Sequence, residues 1–234
     1  MEDKPVSRRR LRLVLWICVG GIIVLLLVLA LVYQAIRAVP AEYEEVLEIE
    51  PKTLREGSDE MLQQASALAS NVQRAGKWEA WFSQEQINGW LAVDLVENHP
   101  EALPDWAQDP RVKISPEQIY MFCTVKRGGQ EAAVTLRVEP YVAEPNVVAF
   151  RLRAVRAGLL PLPMGRVTNE ITKVARKADI RLRWQQAAGD PVALVHLPEP
   201  RNETDKLVEI SDVQLGDGRL YVAGKTIEVG EKGR

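Results

Sequence analysis

Cysteine and histidine are nearly missing from this chain, with two of each among 234 residues. Cys18 lies inside a long apolar run and Cys123 in a stretch of strand character, so the two cannot meet and no disulfide framework is available. With only His99 and His196 beside them, no Cys/His metal cluster can be built, and no metal or cofactor is expected. The folded part has to hold together by packing alone. G-x-S-x-G, G-x-x-x-x-G-K and H-E-x-x-H are all absent, so no catalytic residue is assigned and a non-enzymatic role is expected. A net charge of −2 gives no electrostatic case for nucleic acid. Internal repeats and low-complexity tracts are also lacking.

What the chain does have is one run, Leu13 to Tyr33 (LVLWICVGGIIVLLLVLALVY), of 21 residues without a charge. At 1.5 Å per residue such a helix spans about 30 Å, the depth of a bilayer's hydrocarbon core. Trp16 and Tyr33 stand near its two ends, where amphipathic rings favour the interface. Arg8, Arg9, Arg10 and Arg12 precede the run, and Glu42, Glu44, Glu45, Glu48 and Glu50 follow it. That asymmetry predicts a cytoplasmic N-terminus and a C-terminal domain on the far side of the membrane. Ala38-Val39-Pro40-Ala41 loosely resembles a processing site. A signal peptide's apolar region is usually about 7–15 residues, however, so an uncleaved anchor is expected.

The expected organisation is a basic tail (1–12), a transmembrane helix (13–33), an acidic juxtamembrane linker (34–50), an extracytoplasmic domain (51–229) and a short tail (230–234). Taking the tail's five basic and two acidic residues from totals of 30 and 32 leaves 25 basic against 30 acidic residues beyond it. Pro51 suits a first helical turn, and Leu54, Met61, Ala65, Leu68 and Val72 form one apolar stripe. A strand, Lys77 to Phe82, runs into Ser83 and Gln86, a capping box opening a second helix. Its inward face reads Ile87, Trp90, Leu91 and Leu95. Alternating strands follow over Tyr120–Arg127, Ala132–Val138 and Val148–Ala154. Leu160-Pro161-Leu162-Pro163 interrupts them. A third helix then shows Val167, Ile171, Val174, Ala175 and Ala178 on one face, and strands return over Ile180–Trp184, Val192–Leu197, Leu207–Leu215 and Leu220–Ala223. Helix, helix, meander, helix, meander is an α+β order with a sizeable antiparallel sheet.

Polar groups offer few constellations. Asp94 and Glu97 lie three apart and can share a helix face, which reads as a solvated edge before it reads as general acid/base chemistry. His99 and His196 read as surface or cap residues. Asn202-Glu203-Thr204 matches a glycosylation acceptor, relevant only in a eukaryotic secretory pathway. Between Arg151 and Arg183, nine basic residues stand against Glu170 and Asp179. Arg151, Arg153, Arg181 and Arg183 alternate with Phe150, Leu152, Leu182 and Trp184, and period two puts them on one outer sheet face. Two readings of that face stay open: a solvated surface partly paired with acids, or a docking surface for anionic lipid headgroups or an acidic partner.

Phe82-Ser83-Gln84-Glu85-Gln86-Ile87-Asn88-Gly89-Trp90-Leu91, an aromatic strand running into a capped helix, resembles a pattern of bacterial envelope proteins, the YpmS-like family and tubular lipid-binding (TULIP-like) domains. Gly158 to Pro163 (GLLPLP) and the terminal Val213 to Leu220 are similar to further segments of that group. The resemblance covers much of 77–225 in short pieces. It implies a curved antiparallel sheet wrapped round a long amphipathic helix with an apolar groove, and it supplies no catalytic residue. Candidate groove residues are Trp78, Trp81, Phe82, Ile87, Trp90, Leu91, Phe150, Leu152 and Trp184, each of which plain core packing also accounts for. Two functions follow as expectations: a lipid- or apolar-ligand-binding module at the envelope, or a scaffold recruiting another envelope protein through the arginine face.

Overall fold

The computed structural model describes residues 8–177, 179–197 and 206–228. Of the sequence readings, part of the basic tail, Ala178, the Asn202 triplet and the tail at 230–234 fall outside the described residues. Within the first helix, side chains are described from Ile23 onward.

Helix α1 (Arg8–Arg37) carries the apolar run. It is long and apolar enough to cross a membrane. Among its described side chains, Ile23 to Tyr33 stand clear of the rest of the protein: Ile23, Leu27 and Leu31 are 52%, 59% and 67% exposed, and only the last turn, at Ala35 and Ile36, is half-buried. A helix left apolar on all sides is stable against lipid and not against water. Arg37 folds back so that its guanidinium lies 4.8 Å from the Tyr33 ring centroid.

The acidic stretch 34–50 is not a linker, contrary to expectation. Ala41–Leu47 form helix α2, which buries Tyr43 and Val46. Tyr43 stacks on Phe122 at 5.1 Å, and its hydroxyl donates to the Asp109 carbonyl at 2.8 Å and lies 3.0 Å from Thr124 Oγ1. Ala133, Leu47, Ile49 and Tyr120 complete the cluster. Only Ala38, Val39 and Pro40 separate α1 from α2.

Helix α3 (Pro51–Val72) has Pro51 in its first turn. Strand β1 (Gly76–Ser83) leads through the Ser83 cap into α4 (Gln84–Ala92), followed by α5 (Asp94–Asn98) and a short 3-10 turn at Pro100–Ala102. Then come β2 (Ala107–Ile114), β3 (Ile119–Arg127), β4 (Gln130–Glu144), β5 (Val147–Ala157) and β6 (Leu160–Pro161). Helix α6 (Met164–Lys177) precedes β7 (Leu182–Ala187), β8 (Asp190–His196), β9 (Lys206–Gly216) and β10 (Arg219–Glu228).

The strands make two antiparallel sheets. The larger runs β2-β3-β4-β5-β8-β7, with β6 also beside β5, and the smaller runs β1-β10-β9. The Gly128-Gly129 turn between β3 and β4 has both φ angles positive, 59° and 75°, as tight hairpins require. Two register shifts interrupt β4–β5, one of which leaves Arg153 as an extra residue between the pairs Leu152–Val138 and Ala154–Arg137. The α+β class is therefore observed. The long helix, however, does not lie along the large sheet: α3 packs mainly on α4 and beside β1. Its buried positions are Leu54, Gly57 and Ser58, while Ala65 of the expected stripe is exposed.

Candidate functional site

The segment Phe82–Leu91 is the joint of the molecule. Ser83 and Gln86 form the capping box reciprocally, the Gln86 amide donating to Ser83 Oγ at 3.1 Å and the Ser83 amide to Gln86 Oε1 at 2.9 Å. Gln84 Oε1 accepts from the Ile114 amide at 2.8 Å. The Gln84 amide donates to the Gly218 carbonyl at 2.8 Å, and the Gly218 amide to the Ile114 carbonyl at 3.1 Å. Asn88, 0% exposed, donates to the Val112 carbonyl at 2.9 Å and accepts from the Val112 amide at 2.7 Å. An amide side chain thus stands where a neighbouring strand would, and the edge of β2 is closed in the interior. On the far side Gly89 meets Leu54, Gly57 and Ser58 backbone so closely that a Cβ would overlap it; Gly57 meets the Glu85 carbonyl likewise, at 2.5 Å. The partner of Asn88 is 24 residues away, in β2.

The nine apolar candidates are not brought to one place. Trp78 and Phe82 are buried on the inner face of β1, with Trp78 lying across Gly224 of β10. Trp81 faces the other way, is 51% exposed and packs at a tilt of 43° against Tyr221, with ring centroids 4.5 Å apart. Ile87, Trp90 and Leu91 are half-buried on α4, whose fully buried positions are Asn88 and Gly89 instead. Phe150, Leu152 and Trp184 belong to the larger sheet. Phe150 and Trp184 share a row through Ala193, and Trp184 Nε1 donates to Thr172 Oγ1 of α6 at 2.8 Å. Leu152 is buried core.

The four arginines separate into two pairs. Arg153 is an extra residue of β5 relative to β4, yet it shares Glu139 with Arg151. Arg153 reaches both Glu139, at 2.7 Å, and Asp190, at 2.9 Å, while Arg151 lies 3.8 Å from Glu139 and 5.6 Å over the Tyr141 ring. Two guanidiniums and two carboxylates neutralise one another, and the hydrogen bond that Arg153 donates to Asp190 holds its proton more tightly than usual. Arg181 and Arg183, at the β7 edge, are exposed.

Beside this ion cluster is a cavity of about 550 Å³, lined by Glu117, Gln118, Glu139, Arg153, Gln214 and Leu215 among others. Its walls are mainly polar, and none of the nine apolar candidates lines it. Asp94, expected at a solvated edge, is buried; it accepts from Asn98 Nδ2 at 2.7 Å and lies 3.7 Å from His99 Nε2, while Glu97 is exposed. Among the described residues no three His, Cys, Asp or Glu side chains converge as a metal site. Burial in β3 pushes the Cys123 thiol up to about 11.

Protein-family models, curated proteins and solved structures give no match to this chain, so the likeness to YpmS-like and tubular lipid-binding families rests on its motifs alone.

Proposed function

We propose that the chain is a single-pass membrane protein whose extracytoplasmic α+β domain is a non-enzymatic binding module for lipid or another apolar ligand at a bacterial envelope. One observation carries the reading: the apolar helix α1, exposed from Ile23 to Tyr33, leads within three residues into a helix packed on the domain. Such an arrangement keeps the domain at the bilayer surface, where lipid is the most abundant ligand. The ligand half is tested on the full chain in native membranes with a photoactivatable fatty acid. Crosslinks near Phe150 and Trp184 beneath α6 support it, and crosslinks confined to α1 overturn it. Orientation is tested separately. A tag after Arg234 should be digested by protease added to intact spheroplasts, and protection of that tag would reverse the topology.

A second reading, a scaffold for another envelope protein, is favoured by the exposed Arg181 and Arg183 at an edge strand of the large sheet. Arg181→Glu with Arg183→Glu should then abolish co-purification of the partner, without changing lipid crosslinking. Retention of the partner would exclude this surface.

A further inference from the structure

The end of α1 does not simply lead into the domain; it is held there by a second segment. The Leu159 amide donates to the Ala35 carbonyl at 2.9 Å, and the Gly158 amide to the Ala133 carbonyl at 2.7 Å. Gly158 sits at φ 55°, and a Cβ there would collide with the Ala35 carbonyl and reach within 2.6 Å of the Ile36 carbonyl. Only glycine permits this approach. The β5–β6 turn is therefore seated on the last turn of the helix.

The position of that turn along α1 fixes its surroundings. Ala35 is two residues past Tyr33, about 3 Å further along the axis. The headgroup layer on each side of a bilayer is roughly 5–7 Å deep. Any group bonded to Ala35 is therefore inside that layer if the run ending at Tyr33 fills the hydrocarbon core. Leu159, at that height, is 60% exposed, and Val39, next to α1 in the chain, is 42% exposed. Arg37, a cation two residues past Ala35, lies over the Tyr33 ring, so a charge and an aromatic ring stand together at the end of the run, as residues at a membrane interface do.

We infer that the Gly158–Pro163 segment is a second membrane contact: Leu159 inserts at the headgroup–acyl boundary of the same bilayer that holds α1, giving the domain a footprint of two points. This rests on the reading of α1 as a membrane span, and the experiment separates the two. The full chain, with Cys18→Ala and Cys123→Ala, carries a single bimane-labelled cysteine in phosphatidylcholine–phosphatidylglycerol nanodiscs containing lipids brominated near the headgroup. Labels go at Leu29→Cys in α1, at Leu159→Cys, or at Asp217→Cys in the β9–β10 turn, which joins β2 at Ile114, the opposite end from its start at Ala107. The Leu29 and Leu159 labels should be quenched about threefold or more relative to Asp217. Adding Gly158→Ala should return the Leu159 label toward the Asp217 level while leaving Leu29 unchanged. Quenching at Leu29 with Leu159 no different from Asp217 would overturn the second contact and leave the anchor standing. Loss of quenching at Leu29 would overturn the anchor itself, and equal quenching at Asp217 would rule out a localised footprint.

Discussion

Asn88 closes two backbone groups that nothing else can reach, because β2 is the edge of its sheet and water is excluded there. Asn88→Ala leaves the Val112 amide and carbonyl buried and unpaired, which should cost roughly 2–4 kcal/mol in urea unfolding. Asn88→Leu should do no better, since filling the volume restores neither bond. Gly89→Ala should cost about 1–3 kcal/mol, because α3 and α4 would have to separate. A different residue governs behaviour in alkali. Cys123 is protonated to about pH 11 when folded, while its unfolded thiol has an ordinary value near 9. Between those values the unfolded chain releases the proton and the folded chain keeps it. Stability is therefore full below about pH 9 and falls as pH rises toward 11, by roughly 2–3 kcal/mol in all. Unfolding midpoints measured from pH 8 to 11 should decline less steeply in Cys123→Ala. Local pairings were legible from the chain at this scale: Ser83 and Gln86 are three residues apart, and the capping box was read directly. Gly57, Ser58 and Asn88 were not, because a close backbone crossing and a bond to a distant strand leave no periodic trace.

The elements that escaped sequence reading escaped for identifiable reasons. In α2 Tyr43 and Val46 are buried and Leu47 packs beside them, among Glu42, Glu44 and Glu45, so composition suggests a linker where packing makes a helix. β2 contains Asp109-Pro110, a turn signature; the structure absorbs it as a bulge between Gln108 and Arg111, with Asp109 at φ 50°. The hydroxyl of Tyr43 holds that bulged carbonyl. Tyr43→Phe should lose about 1 kcal/mol and Tyr43→Ala about 3–5 kcal/mol. The same substitutions supply a local test. A glutamate-specific protease should release the domain slowly from nanodiscs despite the acidic sequence, and roughly tenfold or more faster in Tyr43→Ala. Rapid release of the unsubstituted domain would mean that α2 is not packed. The third helix was legible because its apolar spacing is regular, yet among the described residues of its expected face only Ala175 is buried, and Val174 is 41% exposed.

The two sheets meet where α4 and the β9–β10 turn seal the edge of β2, so the motif that suggested a family by resemblance is accounted for by the architecture. Alternation in the sequence disclosed antiparallel strands but not their division between sheets, which depends on pairings such as β1 with β10 across most of the chain. For the same reason aromatic residues chosen by size fell on separate surfaces; of the arginines chosen by alternation, one pair is engaged by Glu139 and Asp190 while the other lies exposed at the β7 edge. The three residues between α1 and α2 have a consequence at this scale. A domain on a long tether samples a hemisphere and can fish for ligands far from its membrane. Three residues extend at most about 10 Å, and both sides of the joint are packed. With α1 in a bilayer, as proposed, a domain joined this way would rotate with its helix and drift laterally without reaching outward beyond its own height, and any ligand would have to come down to the lipid surface or already be there.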